Sequence, residues 1–252
     1  MPAQSKIDVM EGFQLHPEFG DLGEKLGISQ APLFMLFGAI LVCAFFWIAM
    51  RKKAIVPGRL QVSAEFAYTF VRDIVEENMG EKGKFFFPFI FTLFFFILAG
   101  NYIGLLPYSY TYTSHIAVTL ALAIVVFVMA LLASLFFQGI GFFKHFMPSG
   151  VSLWLSPILV PIEVLSWLSR PISLSVRLFA NMVAGHVLME VFAVGTIMLA
   201  GFGVVGYVFG IVPIILNMAL IGLELLVGGL QAYIFALLAC IYLGEAVGGE
   251  AH

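Results

Sequence analysis

The chain has 252 residues, of which 62% are hydrophobic and only 11% are charged, and its mean hydropathy is +1.05. Soluble domains average about 25% charged residues, so this composition excludes a soluble globular fold and predicts an all-α integral membrane protein. The net charge of −3 argues against nucleic-acid binding. Cys43 and Cys240 lie far apart in apolar runs, which argues against a disulfide framework or a metal site, and we expect no cofactor.

Residues 1–30 form a mainly acidic N-terminal tail, and the first predicted span follows it. The tail lacks a basic segment followed directly by an apolar one, so no cleavable signal peptide is expected. Ala31 to Met50 is apolar and long enough to cross a bilayer, and the basic run Arg51, Lys52 and Lys53 follows it. The positive-inside rule places this end in the cytoplasm and the N-terminus outside.

The segment from Val56 to Glu77 mixes charged and apolar residues and is too polar to span a membrane. Its apolar residues recur at three- and four-residue spacing, at Leu60, Ala64, Ala67, Phe70, Val71 and Ile74. Charged residues occupy the opposite side, so the pattern predicts an amphipathic helix that lies on the cytoplasmic surface.

Two further spans are predicted between residues 85 and 143, where no Asp, Glu, Lys or Arg occurs. Phe85 to Leu106 runs outward and ends before Pro107, and residues 108–114 form an uncharged outer loop. His115 to Gln138 returns inward, and Lys144 marks the cytoplasmic turn. Residues 31–150 therefore form one unit of three spans and a surface helix.

Residues 151–252 form a second unit, in which apolar sequence is interrupted by prolines and isolated polar residues. The clearest turn signal is Gly201, Gly203 and Gly206, which separates two arms, about Pro161 to Ala200 and Tyr207 to Glu245. Each arm is about 60 Å long as a helix, whereas the hydrocarbon core is about 30 Å thick. The arms are either broken or strongly tilted. We expect a tilted hairpin, because extra spans would need polar turns, which brings the total to about five membrane helices with a cytoplasmic C-terminus.

Arg177 lies in the first arm, and no Lys or Arg follows it. A guanidinium keeps its charge, which costs roughly 2.5–3.5 kcal/mol at the centre of a membrane helix on insertion scales. Intramembrane ionisable residues usually serve an ion or substrate path. The alternative is an Arg near a helix end that extends its charge to the interface.

Polar residues of the two arms match in level. The midpoint of Arg177 and Gln231 is residue 204 and that of His186 and Glu224 is residue 205, both at the glycine-rich turn. On the first arm, one small and polar face is formed by Ser173, Arg177, Ala180, Asn181, Ala184 and Leu188.

His186 points to the opposite face from Arg177, with Glu190 four residues later. With Glu224 and Asn217 these residues form a predicted polar cluster between Arg177 and the outer surface. Because histidine titrates near neutral pH, a His–Glu pair can relay protons. A purely structural ion pair is the alternative.

No carboxylate lies level with Arg177, and a buried cation needs an anion, so another subunit is expected to supply one. Glu163 lies fourteen residues before Arg177, near the same helix face and on the cytoplasmic side. It marks a second aqueous opening or it pairs with Arg170, and the sequence leaves both interpretations open.

Three segments carry a resemblance to a known family. They are Arg177 to Gly185 (RLFANMVAG), Leu230 to Phe235 (LQAYIF), and Asn101 with the nearby GLLP of residues 104–107. They resemble the family of subunit a of the F-type ATP synthase, the stator part of its membrane proton channel, over about residues 30–245. Many bacterial members have Glu at the position of His186 and His at that of Glu224, an exchange expected of residues in contact. Ala180 replaces a Gly that is common in the family.

The resemblance implies a mechanism and partners. Protons enter an outer half-channel near His186 and Glu224 and protonate a carboxylate on a rotating ring of c subunits. Arg177 attracts the deprotonated carboxylate and blocks direct passage, and a second half-channel near Glu163 releases protons to the cytoplasm. A b-type stator subunit and the lipid bilayer are the other expected partners. The residues that we expect to serve proton translocation are Glu163, Arg177, Asn181, His186, Glu190, Asn217, Glu224 and Gln231.

Two other classes of function fit the sequence less well. An independent proton-coupled transporter or channel would show inverted repeats and its own carboxylate at the membrane midplane, and we find neither. A purely structural subunit is disfavoured by the cost of keeping Arg177 in the membrane. The sequence separates a bacterial cell membrane poorly from an organelle inner membrane. Because nothing resembles a transit peptide, a bacterial inner membrane is the expected location.

Overall fold

The computed structural model describes residues 30–51, 57–106, 111–139, 156–201 and 204–247, and within these ranges it contains no β-strand. The α-helices in these ranges are α1 (Gln30–Met50), α2 (Arg59–Met79), α3 (Phe87–Ile103), α4 (Ile116–Gln138), α5 (Ser156–Ala200) and α6 (Val204–Val247). Short 3-10 turns occupy Gly80–Phe85 and Tyr112–Ser114. Four helices, α1, α4, α5 and α6, are long and apolar enough to cross a membrane. The predicted all-α membrane fold is therefore confirmed.

The helix boundaries agree with the predicted elements to within a few residues. The surface helix begins at Arg59 rather than near residue 56, which lies outside the described residues. The second span is shorter than predicted, because the 3-10 turn extends to Phe85 and α3 ends at Ile103 after 17 residues. The N-terminal tail and the basic residues Lys52, Lys53 and Lys144 also lie outside the described residues.

The core is centred on the second half of α6. Its buried residues recur at three- and four-residue spacing, as Ala232, Phe235, Ala236, Ala239, Cys240 and Leu243. Helix α2 adds Val71, Ile74 and Val75 to the same cluster, and α5 adds Leu174 and Leu178. The amphipathic pattern of α2 thus arises because its apolar face packs on α3 and α6 while its acidic face stays exposed.

The last two helices are the long arms of the predicted hairpin. Helix α5 has 45 residues and α6 has 44, and both continue through their internal prolines, Pro161 and Pro171 in α5 and Pro213 in α6. At 1.5 Å per residue each arm is about 67 Å long, more than twice the hydrocarbon thickness of about 30 Å. The continuous arms confirm the hairpin over broken helices, and the tilt that their length demands remains a prediction.

Candidate functional site

The face of α5 that carries Arg177 is exposed, apart from the half-buried Asn181. A different stripe of the same helix is buried and packs on the rest of the molecule; it consists of Pro171, Leu174, Ser175, Leu178 and Met182. The residues of the Arg177 face are exposed at Ser173, Arg177, Ala180, Ala184 and Leu188. Within the described residues Arg177 makes no ion pair, so its charge faces outward from an otherwise apolar or small-residue surface.

His186 and Glu224 lie side by side between α5 and α6. The imidazole Nε2 is 3.8 Å from the carboxylate Oε1, and the two side chains are 18% and 5% exposed. Gly185 makes this approach possible, because a Cβ at that position would lie only 2.6 Å from Glu224 Oε1. The two residues that were predicted to share one level of the hairpin are therefore in contact.

The same imidazole contacts a residue that the sequence analysis did not identify. The hydroxyl oxygen of Thr111 lies 2.8 Å from His186 Nε2. Thr111 is 75 residues away in sequence and immediately precedes the turn Tyr112–Ser114. Neither carboxylate oxygen of Glu224 accepts a hydrogen bond from the described part of the chain. The imidazole thus joins the segment at the Tyr112–Ser114 turn to a buried carboxylate.

Gln231 is buried on α6, seven residues after Glu224, and its hydrogen-bond partner differs from the predicted one. The amide of Asn181 donates a hydrogen bond of 3.0 Å to Gln231 Oε1, whereas the predicted level partner was Arg177. Four residues along a helix advance the side chain by about 40° around the axis. That rotation is enough to turn Asn181 toward α6 while Arg177 stays on the exposed face.

Asn101 joins α3 to the same region of α6. Its Nδ2 donates to the carbonyl of Gly228 at 2.9 Å, and its Oδ1 accepts from the hydroxyl of Thr113 at 2.9 Å. Asn101 is 2% exposed, so both of its amide groups are used inside the protein. The predicted motif residue is therefore a buried link between the Tyr112–Ser114 turn and the second arm.

Two other members of the predicted cluster, Glu190 and Asn217, are half-buried on α5 and α6. Within the described ranges no hydrogen bond or ion pair joins either of them to His186 or Glu224. The Oδ1 atom of Asn217 is buried and accepts no hydrogen bond from described residues. The structure thus brings together His186 and Glu224. In the described ranges Glu190 and Asn217 lie further along the arms and are not bonded to that pair.

The parts of the two arms far from the glycine-rich turn contain an ion pair that the sequence analysis missed. Arg170 Nη1 lies 2.6 Å from Glu245 Oε2, and its guanidinium stands over the ring of Tyr242 at 5.4 Å. The alternative that Glu163 pairs with Arg170 is therefore wrong, and among the described residues Glu163 makes no ion pair. The midpoint of Arg170 and Glu245 is 207.5, about three residues from the turn centre, so the level rule would have paired Arg170 with a residue near position 239 instead.

These groups can carry a proton but show no set of metal ligands. No cluster of three or more His, Cys, Asp or Glu side chains occurs in the described parts of the chain. An imidazole beside a carboxylate can accept and release a proton, and a guanidinium supplies a permanent positive charge. The chemistry available is proton transfer within the hairpin and attraction of an anion at its exposed face.

Comparison with known proteins gives one consistent result. The family model for the ATP synthase A chain matches residues 32–244. A relative from Gluconobacter oxydans named ATP synthase subunit a is 63% identical, over 98% of this chain and 99% of its own length. Relatives of the same name from Gluconacetobacter diazotrophicus and Acidiphilium cryptum are 61% and 52% identical over equal shares.

Proposed function

The chain belongs to the ATP synthase A chain family, and we propose that it is the proton-conducting stator subunit of a rotary F-type ATP synthase. It provides two offset half-channels to a ring of c subunits, and Arg177 separates them. The chain is not catalytic alone, because the family member is one subunit of the larger enzyme. Its bacterial relatives and its long apolar helices support a multi-pass protein of a bacterial inner membrane.

The observation that supports the proton path best is the contact between His186 and Glu224. Burying an ionisable pair without a function is costly, and the pair lies between the two arms, 3.8 Å apart. In the proposed path His186 and Glu224 take up protons from the outer side, with Glu190 and Asn217 further along the arms toward the turn.

Arg177 and the residues around it define the proposed junction with the ring. Its exposed guanidinium attracts the deprotonated carboxylate of a c subunit, which supplies the anion that the described chain does not provide. Asn181 and Gln231 form a hydrogen bond between uncharged side chains on the α6 side of Arg177. This hydrogen bond holds the arms together without adding a charge that would compete for that carboxylate.

The second half-channel is proposed on the cytoplasmic side of Arg177. Glu163 is half-buried there, and Arg170 pairs with Glu245 rather than with Glu163. Besides the ring, a b-type stator subunit and the lipid bilayer are the proposed partners.

An exchange of the two proton-path residues tests this function. His186→Glu places two carboxylates about 4 Å apart, a repulsion on the order of 4 kcal/mol at an effective dielectric constant of about 20. Glu224→His leaves two imidazoles and no acid. Each single variant should slow ATP-driven proton pumping in inverted membrane vesicles.

The double exchange restores one acid and one imidazole, so it should recover part of the pumping rate. A double variant whose rate equals the product of the two single losses would mean that the residues are not coupled. That result would contradict the proposed outer half-channel.

A further inference from the structure

The contact between Thr111 and His186 lies outside every motif identified in the sequence. Thr111 is 5% exposed, and its hydroxyl oxygen is 2.8 Å from His186 Nε2. It precedes the outer turn, so it contacts the imidazole from the side on which protons are proposed to arrive. Glu224 Oε1 also lies near Nε2, at 3.8 Å.

Gly104 makes the space that the Thr111 side chain occupies. A Cβ at position 104 would overlap Thr111 Oγ1 and would lie 2.7 Å from Thr111 Cβ. Any larger residue at the end of α3 would therefore push the hydroxyl away from His186. The position of the Thr111 hydroxyl therefore depends on the absence of a side chain at Gly104.

The segment that carries Thr111 is held on several sides. The carbonyl of Thr111 accepts a hydrogen bond of 2.6 Å from Ser114 Oγ, and the hydroxyl of Tyr112 donates to the carbonyl of Phe96 at 2.6 Å. Burial raises the pKa of Tyr112, so this phenol stays protonated and keeps donating. Thr113 bonds Asn101, which bonds α6. The position of the Thr111 hydroxyl is thus fixed by α3 and α6 together.

A hydroxyl suits a group that gains and loses a proton. It can donate to Nε2 when that nitrogen carries no hydrogen, and it can accept from Nε2–H when it does. A carbonyl or an amine group could satisfy only one of these states. The side chain of Thr111 can therefore hold the imidazole through a complete cycle of protonation.

We propose that Thr111 is a positioning residue for His186: its hydroxyl, admitted by Gly104, holds the imidazole against Glu224 in both protonation states. The inference rests on the proposed function, in which His186 transfers protons. It names a residue of the outer turn as part of the machinery of the outer half-channel.

Four variants in the assembled enzyme test the inference, with ATP-driven proton pumping in inverted vesicles as the first readout. Thr111→Val keeps the shape but removes the hydroxyl, and we expect about a tenfold loss of rate. Thr111→Ser should restore most of it. Gly104→Ala, which displaces the hydroxyl without removing it, should resemble Thr111→Val. Thr196→Val is the control, because among the described residues the Thr196 hydroxyl donates to the carbonyl of Phe192 on its own helix.

The second readout is the rate at which diethyl pyrocarbonate modifies His186, followed by mass spectrometry of the peptide. Thr111→Val and Gly104→Ala should raise this rate several-fold, and Thr111→Ser and Thr196→Val should not. An unchanged modification rate in Thr111→Val overturns the inference, as does a pumping loss that persists in full when His186→Ala is already present. Faster modification with normal pumping would instead support the positioning role and contradict the proposed proton path.

Discussion

Gly185 is the residue that lets a carboxylate lie beside an imidazole between two long helices. The neighbouring atoms of Glu224 leave no space for a side chain there, since a Cβ would be 2.6 Å from Oε1 and 2.7 Å from Cδ. Helix interiors usually disfavour glycine by about 1 kcal/mol relative to alanine. Glycine at position 185 therefore lowers the stability of the helix but allows His186 and Glu224 to approach closely.

Gly185→Ala should therefore impair proton transfer even though it favours the helix. The carboxylate must move by several tenths of an ångström, at a cost of about 1–3 kcal/mol for overpacking. We expect roughly a tenfold lower rate of ATP-driven pumping in inverted vesicles. Gly195→Ala is the matched control on the same helix, because a Cβ there meets no atom within 4 Å. Equal rates for the two variants would remove the steric role of Gly185.

At the scale of the helices, the C-terminal end of α6 is held by three other elements. The carbonyls of its last residues would otherwise lack partners. Gln138 Nε2 of α4 donates to the carbonyls of Glu245 and Ala246 at 2.7 and 2.9 Å, and Lys82 Nζ donates to the carbonyl of Val247 at 3.1 Å. Arg170 of α5 pairs with the Glu245 side chain. These bonds fix the register of the two arms, on which the level matching of their polar residues depends.

Gln138→Ala should loosen this end of the hairpin. The variant loses two hydrogen bonds, each worth about 1 kcal/mol, so a lower Tm is expected. The measurement is the Tm of the purified complex. Ser63→Ala is the control, because the exposed Ser63 hydroxyl donates its hydrogen bond within α2, to the carbonyl of Arg59. A Tm equal to that of the parent complex would show that the cap does not stabilise the hairpin.

The helices could be predicted from the sequence because hydrophobic length and glycine-rich turns act locally. The contact of His186 with Glu224 could also be predicted, since two antiparallel arms and one turn fix the levels of their residues. The partner of Gln231 could not, because level does not specify which side chain turns inward. The contact of Thr111 with His186 depends on the course of the segment between α3 and α4, and local sequence patterns carry no information on that course.

At the scale of the molecule, one long face of the hairpin carries no packing partner within the described chain. Leu223, Leu226 and Leu230 of α6 are 50–66% exposed along one stripe, and the Arg177 face of α5 is exposed too. A large exposed apolar surface marks contact with lipid or with another protein. A permanent charge within such a surface is unfavourable against lipid alone, which supports our proposal that the ring of c subunits covers Arg177.

The predicted topology can be tested with two introduced cysteines in a chain whose Cys43 and Cys240 are replaced. Leu106→Cys, at the end of α3, should react with a membrane-impermeant maleimide in spheroplasts. Glu81→Cys should react in inverted vesicles only. The two side chains are accessible in the isolated chain, since Leu106 is 60% exposed and the Glu81 side chain is 89% exposed. Labelling of both from the same side would contradict the orientation inferred from the positive-inside rule.

The central claim is that Arg177 forces protons to travel on the ring rather than directly between the half-channels. The most direct measurement is ATP synthesis driven by a proton gradient in membrane vesicles that carry Arg177→Ala, Arg177→Gln or Arg177→Lys. All three should reduce synthesis to background, the lysine variant too, because a compact ammonium can lose its proton when buried. Arg177→Ala should also raise the passive proton leak, with the assembled complex present in normal amount. Synthesis at the normal rate in the Arg177→Ala membranes would contradict the account.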